Sequence, residues 1–430
     1  MMKKHKRLIL LNILLTGVLL AGCGHGNVVA VPETAAEVEE MQKEPVVEDQ
    51  NPQMETEEST ESEESVQEDD APVSLADLRS PVKAKGVYVS AYVAGAQELM
   101  DKMIAELDRT EANAVVIDFK DDYGRVVCEV DSELIRDIGA VKVCIEDTAS
   151  LMQKLEEHDI YAIARIPAFR DTWLGEARPD WCLKKADGTI FKDRDGNAWV
   201  NPYKKEAWDY LVEVASQAGA LGFDEVQFDY VRFCTEKGMR DVVFDEVDVQ
   251  GRSKTDIICE FVEYAYEQLK EQGLFVSADV FGAIINSSED ANAVGQIYGE
   301  LAKHLDYISP MIYPSHYGDG NYGIAHPDLQ PYELIKAALQ DSREELYLAG
   351  QESEHIAQVR PWLQEFTASW LKNHITYGPE QIRAQIQATY DTGYDEWLLW
   401  DATCRYEWNG IFSPEAAEDE VETATGSDAL

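Results

Sequence analysis

The stretch DEVQFDYVRF, residues 224–233, places carboxylates and an amide within a run typical of a buried strand. Because side chains alternate along a strand, Gln227 and Asp229 share one face and the apolar residues share the other. A later run, FVSADVF at 275–281, carries Asp279 in the same way. Cleavage of a glycosidic bond requires one protonated and one ionised carboxyl group. Asp229 and Asp279 are therefore the candidate catalytic pair.

The same polar residues also fit a second interpretation. Both acids could neutralise Arg165, Arg232 or Lys120 in a structural ion-pair network, since buried charges are usually paired. Asp118 and Lys120 would then either contact a ligand or belong to that network. A Schiff base at Lys120, as in an aldolase-like lyase, is a further alternative.

Short β-rich runs alternate with amphipathic helical segments through most of the chain. Eight such units in a single run of this length predict a (β/α)8 TIM barrel rather than an open sheet. The predicted strands are 86–90, 114–120, 161–167, 224–230, 275–281, 306–313, 359–366 and 396–402.

In a barrel of this kind, active groups lie at the C-terminal ends of the strands and point inward. Strand parity, that is, which alternate side chains of a strand point inward, gives most of the expected substrate contacts. The aromatic residue at the end of strand eight and the arginine that follows strand four complete the set. These are Asp118, Lys120, Arg165, Gln227, Arg232, Tyr313, Gln364 and Trp400. Trp400 either covers a sugar face or packs internally, because aromatic rings at strand ends do both.

A long segment follows the third predicted strand and is rich in aromatic residues. Its Asp-Gly pairs at 187–188 and 195–196 predict hairpin turns, which would raise a flap over the barrel mouth. Aromatic side chains of this flap could line a sugar-binding groove, or they could form the flap's own small core. They are Trp173, Trp181, Trp199 and Tyr203.

Five motifs occur in a fixed order: AVVIDFKDDYGRV, EVQFDYVRF, SADVFG, ISPMIYPSHY and RPWLQEF. Together they resemble a family of largely uncharacterised bacterial glycoside hydrolases, secreted or lipid-anchored TIM barrels distantly related to the α-amylase clan, over roughly residues 83–410. The resemblance implies a catalytic carboxylate at Asp229 and its partner at Asp279. The clan usually has Glu at the second position and Arg two residues before the first, where this chain has Asp279 and Gln227.

Both ends of the chain differ in composition from the barrel region. Residues 1–23 combine a basic start, an apolar run and LAGC, which resembles the bacterial lipobox and implies lipidation of Cys23. Residues 31–70 contain 16 Asp or Glu and one Lys, so residues 24–80 are predicted to be a disordered acidic linker. The barrel domain is expected at 81–413, and an acidic tail at 414–430. This organisation predicts an extracytoplasmic protein with a lipid anchor in a bacterial membrane.

The charge balance of the chain restricts the classes of partner that it is expected to bind. The chain carries 37 Lys and Arg against 82 Asp and Glu, a formal net charge of −45. Phosphate polymers would be repelled, so nucleic acid is not an expected partner. The eight His are scattered without metal-ligand spacing, and no metal or cofactor is expected. The cysteines show no CxxC motif, although Cys128 and Cys144 could pair outside the cytoplasm.

These observations predict a membrane-tethered hydrolase or transglycosylase that acts on a poly- or oligosaccharide. Inward side chains on neighbouring strands would hold the carboxyl groups close together, which favours a retaining mechanism. Asp229 is predicted to be the nucleophile, kept ionised by Arg165 or Arg232, and Asp279 the acid/base. The alternative is a carbohydrate-binding envelope lipoprotein that kept the barrel but lost catalysis.

Overall fold

The computed structural model describes residues 74–412. The predicted signal peptide with Cys23, residues 24–73 of the predicted linker, and the predicted tail lie outside this range. The last residues assigned to the linker do have regular structure, with a 3-10 helix at Leu75–Leu78. Nη1 of Arg79 lies 2.7 Å from the Asp306 carboxylate, which fixes this segment to the barrel.

Eight parallel strands close into a barrel, so the predicted (β/α)8 fold is confirmed. The seventh strand is split because Pro361, which has no N–H, interrupts its ladder. Closure is completed where Trp362 pairs with Met311 of one neighbouring strand and with Leu398 of the other. The strands are β1 (Lys85–Val89), β2 (Ala114–Asp118), β3 (Tyr161–Pro167), β4 (Glu225–Asp229), β5 (Phe275–Phe281), β6 (Tyr307–Met311), β7 (Gln358–Val359 and Trp362–Gln364) and β8 (Trp397–Trp400).

Helices surround the barrel, and several of them begin at a residue whose side chain caps the helix. Lys254–Lys270, for example, follows Ser253, whose hydroxyl accepts a hydrogen bond from the Asp256 N–H while the Asp256 carboxylate accepts one from the Ser253 N–H. After β8 the described chain forms only a 3-10 helix, Trp408–Gly410. The α-helices are Ala91–Gly95, Gln97–Leu107, Glu133–Ile138, Thr148–Glu157, Thr172–Ala177, Lys205–Ala220, Glu246–Val249, Lys254–Lys270, Ser288–Val294, Tyr298–Leu301, Pro331–Ala349 and Pro379–Asp391.

The predicted alternation along β4 is confirmed by the two hydrophobic clusters of the fold. Val226 and Phe228 belong to the large cluster between the strands and the helices. A separate cluster, which includes Tyr88, Tyr307 and Trp362, fills the barrel interior. Apolar side chains of one parity therefore hold the helices, and those of the other parity close the barrel below its mouth.

Glu225, at the start of β4, belongs to a buried ion-pair network. Arg360 lies between its two partners, 2.9 Å from the Glu225 carboxylate and 2.8 Å from that of Glu396. The Ser277 hydroxyl also donates to Glu225. Because these residues lie at the N-terminal part of the barrel, we assign them to stability rather than to chemistry.

The segment after β3 forms the expected hairpins. Bridges join Lys184 to Ile190 and Lys192 to Ala198, with the chain turning at Gly188 and Gly196. Both glycines have positive φ, +81° and +88°, which is the reason a residue without Cβ is required there. Within residues 74–412, no helix combines the length and apolar composition needed to cross a membrane. The possible Cys128–Cys144 bridge is not formed, since both thiols are free.

Candidate active site

Asp229 ends β4 at the barrel mouth, where Arg165 of β3 binds it. The Nε and Nη2 atoms of Arg165 lie 3.1 and 2.6 Å from Oδ2 of Asp229. The other carboxylate oxygen accepts a hydrogen bond from the Tyr230 N–H at 2.6 Å. Charge-assisted hydrogen bonds of this kind stabilise the anionic carboxylate. The side chain of Asp229 keeps 13% exposure, so it remains open to the mouth.

Arg165 also binds two further carboxylates. Its Nη1 lies 2.7 Å from Asp118, which accepts a second hydrogen bond from the Tyr88 hydroxyl at 2.6 Å. Its Nη2 lies 3.0 Å from Asp122 in the loop after β2. Burial raises the pKa of Asp118 to about 6; the charge of Asp122 acts in the same direction and Arg165 opposes both. All three nitrogens of the guanidinium are therefore occupied by carboxylates.

Asp279 of β5 lies in a different environment. It is 3% exposed, and its Oδ1 accepts a hydrogen bond from the Trp362 Nε1–H at 2.7 Å. Burial, together with the charge of Asp229, raises the pKa of Asp279 well above its usual range. The strand register pairs Phe228 with Ala278, so the next residues, Asp229 and Asp279, lie at the same level of the barrel.

Tyr313 lies beyond β6 and faces the same pair. Burial and the charges of Asp279 and Asp229 raise the pKa of its hydroxyl, so it is present as a neutral phenol. Its ring meets Phe366 edge to face at 5.7 Å. Its contact with a substrate stays a prediction.

Trp400 belongs to an aromatic group at the end of β8. Its ring centroid lies 4.3 Å from that of Tyr88 and 5.8 Å from that of Trp362. The Arg165 guanidinium lies 5.5 Å from the Trp400 centroid, within the range of a cation–π contact. Trp400 thus holds the arginine and remains partly exposed.

The chain turns sharply directly after Asp229. Tyr230 has φ of 51°, in the left-handed region that bulky residues rarely adopt. Arg170 holds the ring in place, with Nη1 3.2 Å from the Tyr230 hydroxyl and the guanidinium 5.0 Å from the ring centroid. Strain that persists beside a reactive carboxylate is characteristic of functional sites.

Arg232 follows this turn and is half-buried among aromatic rings. Its guanidinium carbon lies 4.3 Å from the ring centroid of Phe281, 5.1 Å from that of Trp199 and 5.3 Å from that of Tyr230. Arg165, and not Arg232, binds Asp229, which decides between the two arginines considered from the sequence.

Three of the predicted substrate contacts lie away from these mouth residues or already form hydrogen bonds or ion pairs within the protein. Gln227 is wholly buried, donates to the Ser309 hydroxyl at 3.2 Å and lies one layer below the mouth. Gln364 is also wholly buried, accepts a hydrogen bond from the Ser315 N–H and donates to Asp328, so it joins loops. The third contact is Lys120.

Lys120 is directed away from the mouth. It has no exposed surface, and its Nζ lies 2.7 Å from Asp171 and 2.6 Å from the Pro167 carbonyl. The alternation stops after Asp118, because the N–H groups of Phe119 and Lys120 both donate to the Arg165 carbonyl. The inward orientation assumed for Lys120 is therefore wrong, and no open path leads to the amine that a Schiff base would need.

Several residues at the mouth lie in loops, where strand parity makes no prediction. Asp122 is half-exposed, and Arg165 and Arg170 hold its pKa below the usual range although burial opposes them. Trp370, 45% exposed in the loop after β7, stacks on Phe366 at 5.9 Å. The pair of consecutive Asp residues in the loop after β2 could have indicated Asp122 from the sequence.

The flap aromatics divide between the two roles considered from the sequence. Trp199 and Tyr203 are buried; Trp199 donates through Nε1 to Asp193, and Tyr203 packs on Phe233. Trp173 is 37% exposed and donates to the Gly139 carbonyl. In residues 74–412, no group of three or more His, Cys, Asp or Glu side chains is arranged to hold a metal ion.

A closed (β/α)8 barrel with carboxyl groups of unlike environment at its mouth has the architecture of a glycoside-cleaving enzyme. Residues 86–406 match the model of a family described as "Putative glycosyl hydrolase domain". The chain belongs to this family of glycosyl hydrolases. It is thus a carbohydrate-active enzyme of the glycoside hydrolase class, and its substrate is a carbohydrate.

Solved structures of other proteins are similar to this chain. A hypothetical protein from Ruminiclostridium thermocellum ATCC 27405 is 35% identical, with 45% of this chain and 97% of that chain covered and a TM-score of 0.42. The PgaB (BpsB) glycoside hydrolase domain from Bordetella bronchiseptica is 12% identical, with 79% and 98% covered and a TM-score of 0.53. The α-galactosidase TtGalA from Thermus thermophilus is 13% identical, with 81% and 64% covered and a TM-score of 0.46. The search of curated proteins gave no match.

Proposed function

We propose that this protein is a membrane-tethered, extracytoplasmic glycoside hydrolase that cleaves a poly- or oligosaccharide by a retaining double displacement. Asp229 is the nucleophile and Asp279 is the acid/base. The observation that carries the proposal is the contrast between two carboxyl groups on neighbouring strands. Arg165 binds Oδ2 of Asp229 through two charge-assisted hydrogen bonds, whereas burial and the neighbouring negative charge raise the pKa of Asp279 and favour its protonated form.

In the first step, Asp229 attacks the anomeric carbon while Asp279 donates its proton to the leaving glycosidic oxygen. The bond to the leaving sugar breaks, and an ester joins the glycosyl unit to Asp229. Formation of the ester removes the negative charge that had favoured the proton on Asp279. Asp279 can then accept a proton from water, which attacks the anomeric carbon and releases Asp229.

Arg165 acts as a positioning residue in this scheme. It is 2% exposed and fixed by Asp118 and Asp122, so it holds Oδ2 of Asp229 without rearrangement during the reaction. The Tyr230 N–H holds the other oxygen. Prealigned groups of this kind lower the barrier because the geometry is set before the substrate binds.

The reaction is tested with the full chain and a screen of glycans followed by NMR of the first anomer released. A retaining enzyme releases the anomer of the starting configuration. On a glycan that is cleaved, Asp229→Asn is expected to abolish measurable turnover. Asp279→Asn should lower kcat about 10²–10⁴-fold on natural glycosides but much less on aryl glycosides, whose leaving groups need no proton.

Release of the inverted anomer would contradict the retaining mechanism, and full turnover by Asp229→Asn would remove that residue from the reaction. The matched control is Glu344→Gln, which removes one exposed carboxylate from helix Pro331–Ala349, away from the mouth. We expect it to leave turnover unchanged.

A non-catalytic carbohydrate-binding protein is the second candidate. The ion pair between Asp229 and Arg165, both largely buried, favours it, because such a pair is also found in structural networks. In that case the glycan screen would give binding without cleavage, and Asp229→Asn would alter stability more than ligand affinity.

A further inference from the structure

The mouth contains a cation whose charge is not matched by any carboxylate within the described residues. Arg232 has no Asp or Glu within ion-pair distance among residues 74–412, although it is half-buried. Its Nη1 donates to the Phe233 carbonyl at 3.0 Å, and its Nε and Nη2 donate to no described residue. Half-buried guanidinium groups usually have an anionic partner, because desolvation of the charge is costly.

The two other arginines near Asp229 differ from Arg232 in their partners. Arg165 binds three carboxylates, and Arg170 lies 3.1 Å from Asp193 and 3.8 Å from Asp195. Their donors are therefore committed within the protein. Arg232 keeps free donors beside them.

Three aromatic rings define the position of the Arg232 guanidinium. Phe281 ends β5, Trp199 closes the flap and Tyr230 forms the strained turn, so each ring comes from a different segment at the C-terminal end of the barrel. Cation–π contacts hold the charge in place but leave the N–H groups in the guanidinium plane unpaired. The result is a fixed fork of donors, a geometry that suits carboxylate and other planar or tetrahedral oxyanions.

The location relates this fork to the reaction. Arg232 is three residues from Asp229, and the charge of Asp229 acts on it electrostatically. Burial lowers the pKa of Arg232, but a guanidinium remains charged at neutral pH. A sugar seated against Asp229 would therefore bring its substituents, or those of the adjoining sugar, towards these donors.

We propose that Arg232 is a specificity determinant that binds an anionic substituent, such as a carboxylate, on a sugar of the substrate. The inference rests on the proposed glycoside hydrolase function and adds the chemical class of its substrate. It concerns one acidic group at the mouth, because the net charge of −45 disfavours a polyanion along the surface of the chain.

The test uses the full chain and pairs of oligosaccharides that differ only in charge. One member contains glucuronic acid, and the other is the same oligosaccharide after reduction of its carboxyl groups to alcohols. A third arm uses the sulfated oligosaccharide, which separates preference for a carboxylate from preference for any oxyanion. Affinity is measured by calorimetry in the Asp279→Asn background, so that turnover does not consume the ligand.

With Arg232 intact, the acidic oligosaccharide should bind about 10–100-fold more tightly than its reduced form, and 0.5 M NaCl should reduce the ratio. Arg232→Met keeps an apolar side chain among the rings but lacks the charge, and should bring the ratio close to one. Arg232→Lys should keep part of it. The matched control is Arg178→Met, since Arg178 also lies over a ring, that of Trp181, and has no carboxylate partner among the described residues.

Equal affinity for all three oligosaccharides with Arg232 intact would overturn the proposal, as would an unchanged ratio in Arg232→Met. If Arg232→Met does not fold, the salt dependence and Arg232→Lys still decide. Acidic preference without cleavage of any glycan would refute the hydrolase and leave this binding site standing. Cleavage of a glycan without a charge preference would support the hydrolase and overturn the role of Arg232.

Discussion

Asp279 and Glu365 are two of the carboxyl groups with raised pKa near the C-terminal end of the barrel, and their surroundings distinguish them. Asp279 lies beside Asp229 on the neighbouring strand, and its pKa depends on burial and on that charge. Glu365, the residue after β7, is 4% exposed, and the Glu407 N–H is the only donor to its carboxyl group among residues 74–412. Burial raises the pKa of Glu365 to about 9. A raised pKa therefore identifies an acid in this molecule only when the group also faces the cleft.

We predict that Glu365 makes the fold less stable as the pH rises. Its folded-state pKa of about 9 exceeds the unfolded value of 4.5, so the folded state binds the proton more tightly. The stabilisation is complete below pH 4.5 and is lost as the pH rises towards 9, by up to about 1.4 kcal/mol per pH unit. Between pH 5 and pH 8 the free energy of unfolding, measured with urea, should fall by about 2–4 kcal/mol less in Glu365→Gln than in the unmodified chain.

The control for this measurement is Glu344→Gln, which removes one exposed carboxylate from helix Pro331–Ala349 and should leave the pH dependence unchanged. An identical pH dependence for Glu365→Gln and the unmodified chain would show that Glu365 ionises without cost in the folded protein.

At the scale of elements, the Lys120–Asp171 pair joins the loops that follow β2 and β3. Both side chains have no exposed surface. Asp171 also caps helix Thr172–Ala177, since its Oδ1 accepts a hydrogen bond from the Leu174 N–H at 2.7 Å. One wholly buried pair therefore fixes the base of the flap to the barrel.

We predict that Lys120→Met lowers the free energy of unfolding by about 3–5 kcal/mol, because it leaves the Asp171 carboxylate buried without a partner. Lys120→Met combined with Asp171→Asn should recover part of the loss, as no unpaired charge remains. Denaturant unfolding of both variants checks this. Loss of activity from Lys120→Met with unchanged stability would point instead to chemistry at the amine.

The pattern of alternating residues was sufficient to predict the strands and the inward orientation of the two candidate acids, because both depend on local periodicity. β3 and β5 have the predicted bounds, and Asp229 and Asp279 face inward as parity requires. Parity failed at Lys120, where the backbone leaves the regular ladder, and it could not reach Asp122, which lies in a loop. The split in β7 depends on Pro361 and on pairing with strands distant in sequence.

At the scale of the whole molecule, the described barrel is one part of a chain with acidic ends. The last residues before the barrel are fixed by Arg79, so a tether would extend from residue 74 towards the N-terminus. An acidic chain without aromatic residues resists compaction and extends through self-repulsion. We therefore predict from the sequence that residues 24–73 act as an extended tether between a membrane and the barrel.

The last prediction concerns the anchor, which the LAGC sequence places at Cys23. Each buried methylene of an acyl chain contributes about 0.8 kcal/mol to membrane binding, so several chains on one cysteine would hold the protein at the membrane. Cys23→Ser is therefore expected to move the protein from the membrane fraction to the soluble fraction. Immunoblotting of the two fractions measures this. Cys144→Ser, which changes an exposed thiol of the barrel, is the control and should stay with the membrane. Unchanged fractionation of Cys23→Ser would mean that another segment, or a partner protein, retains the chain there.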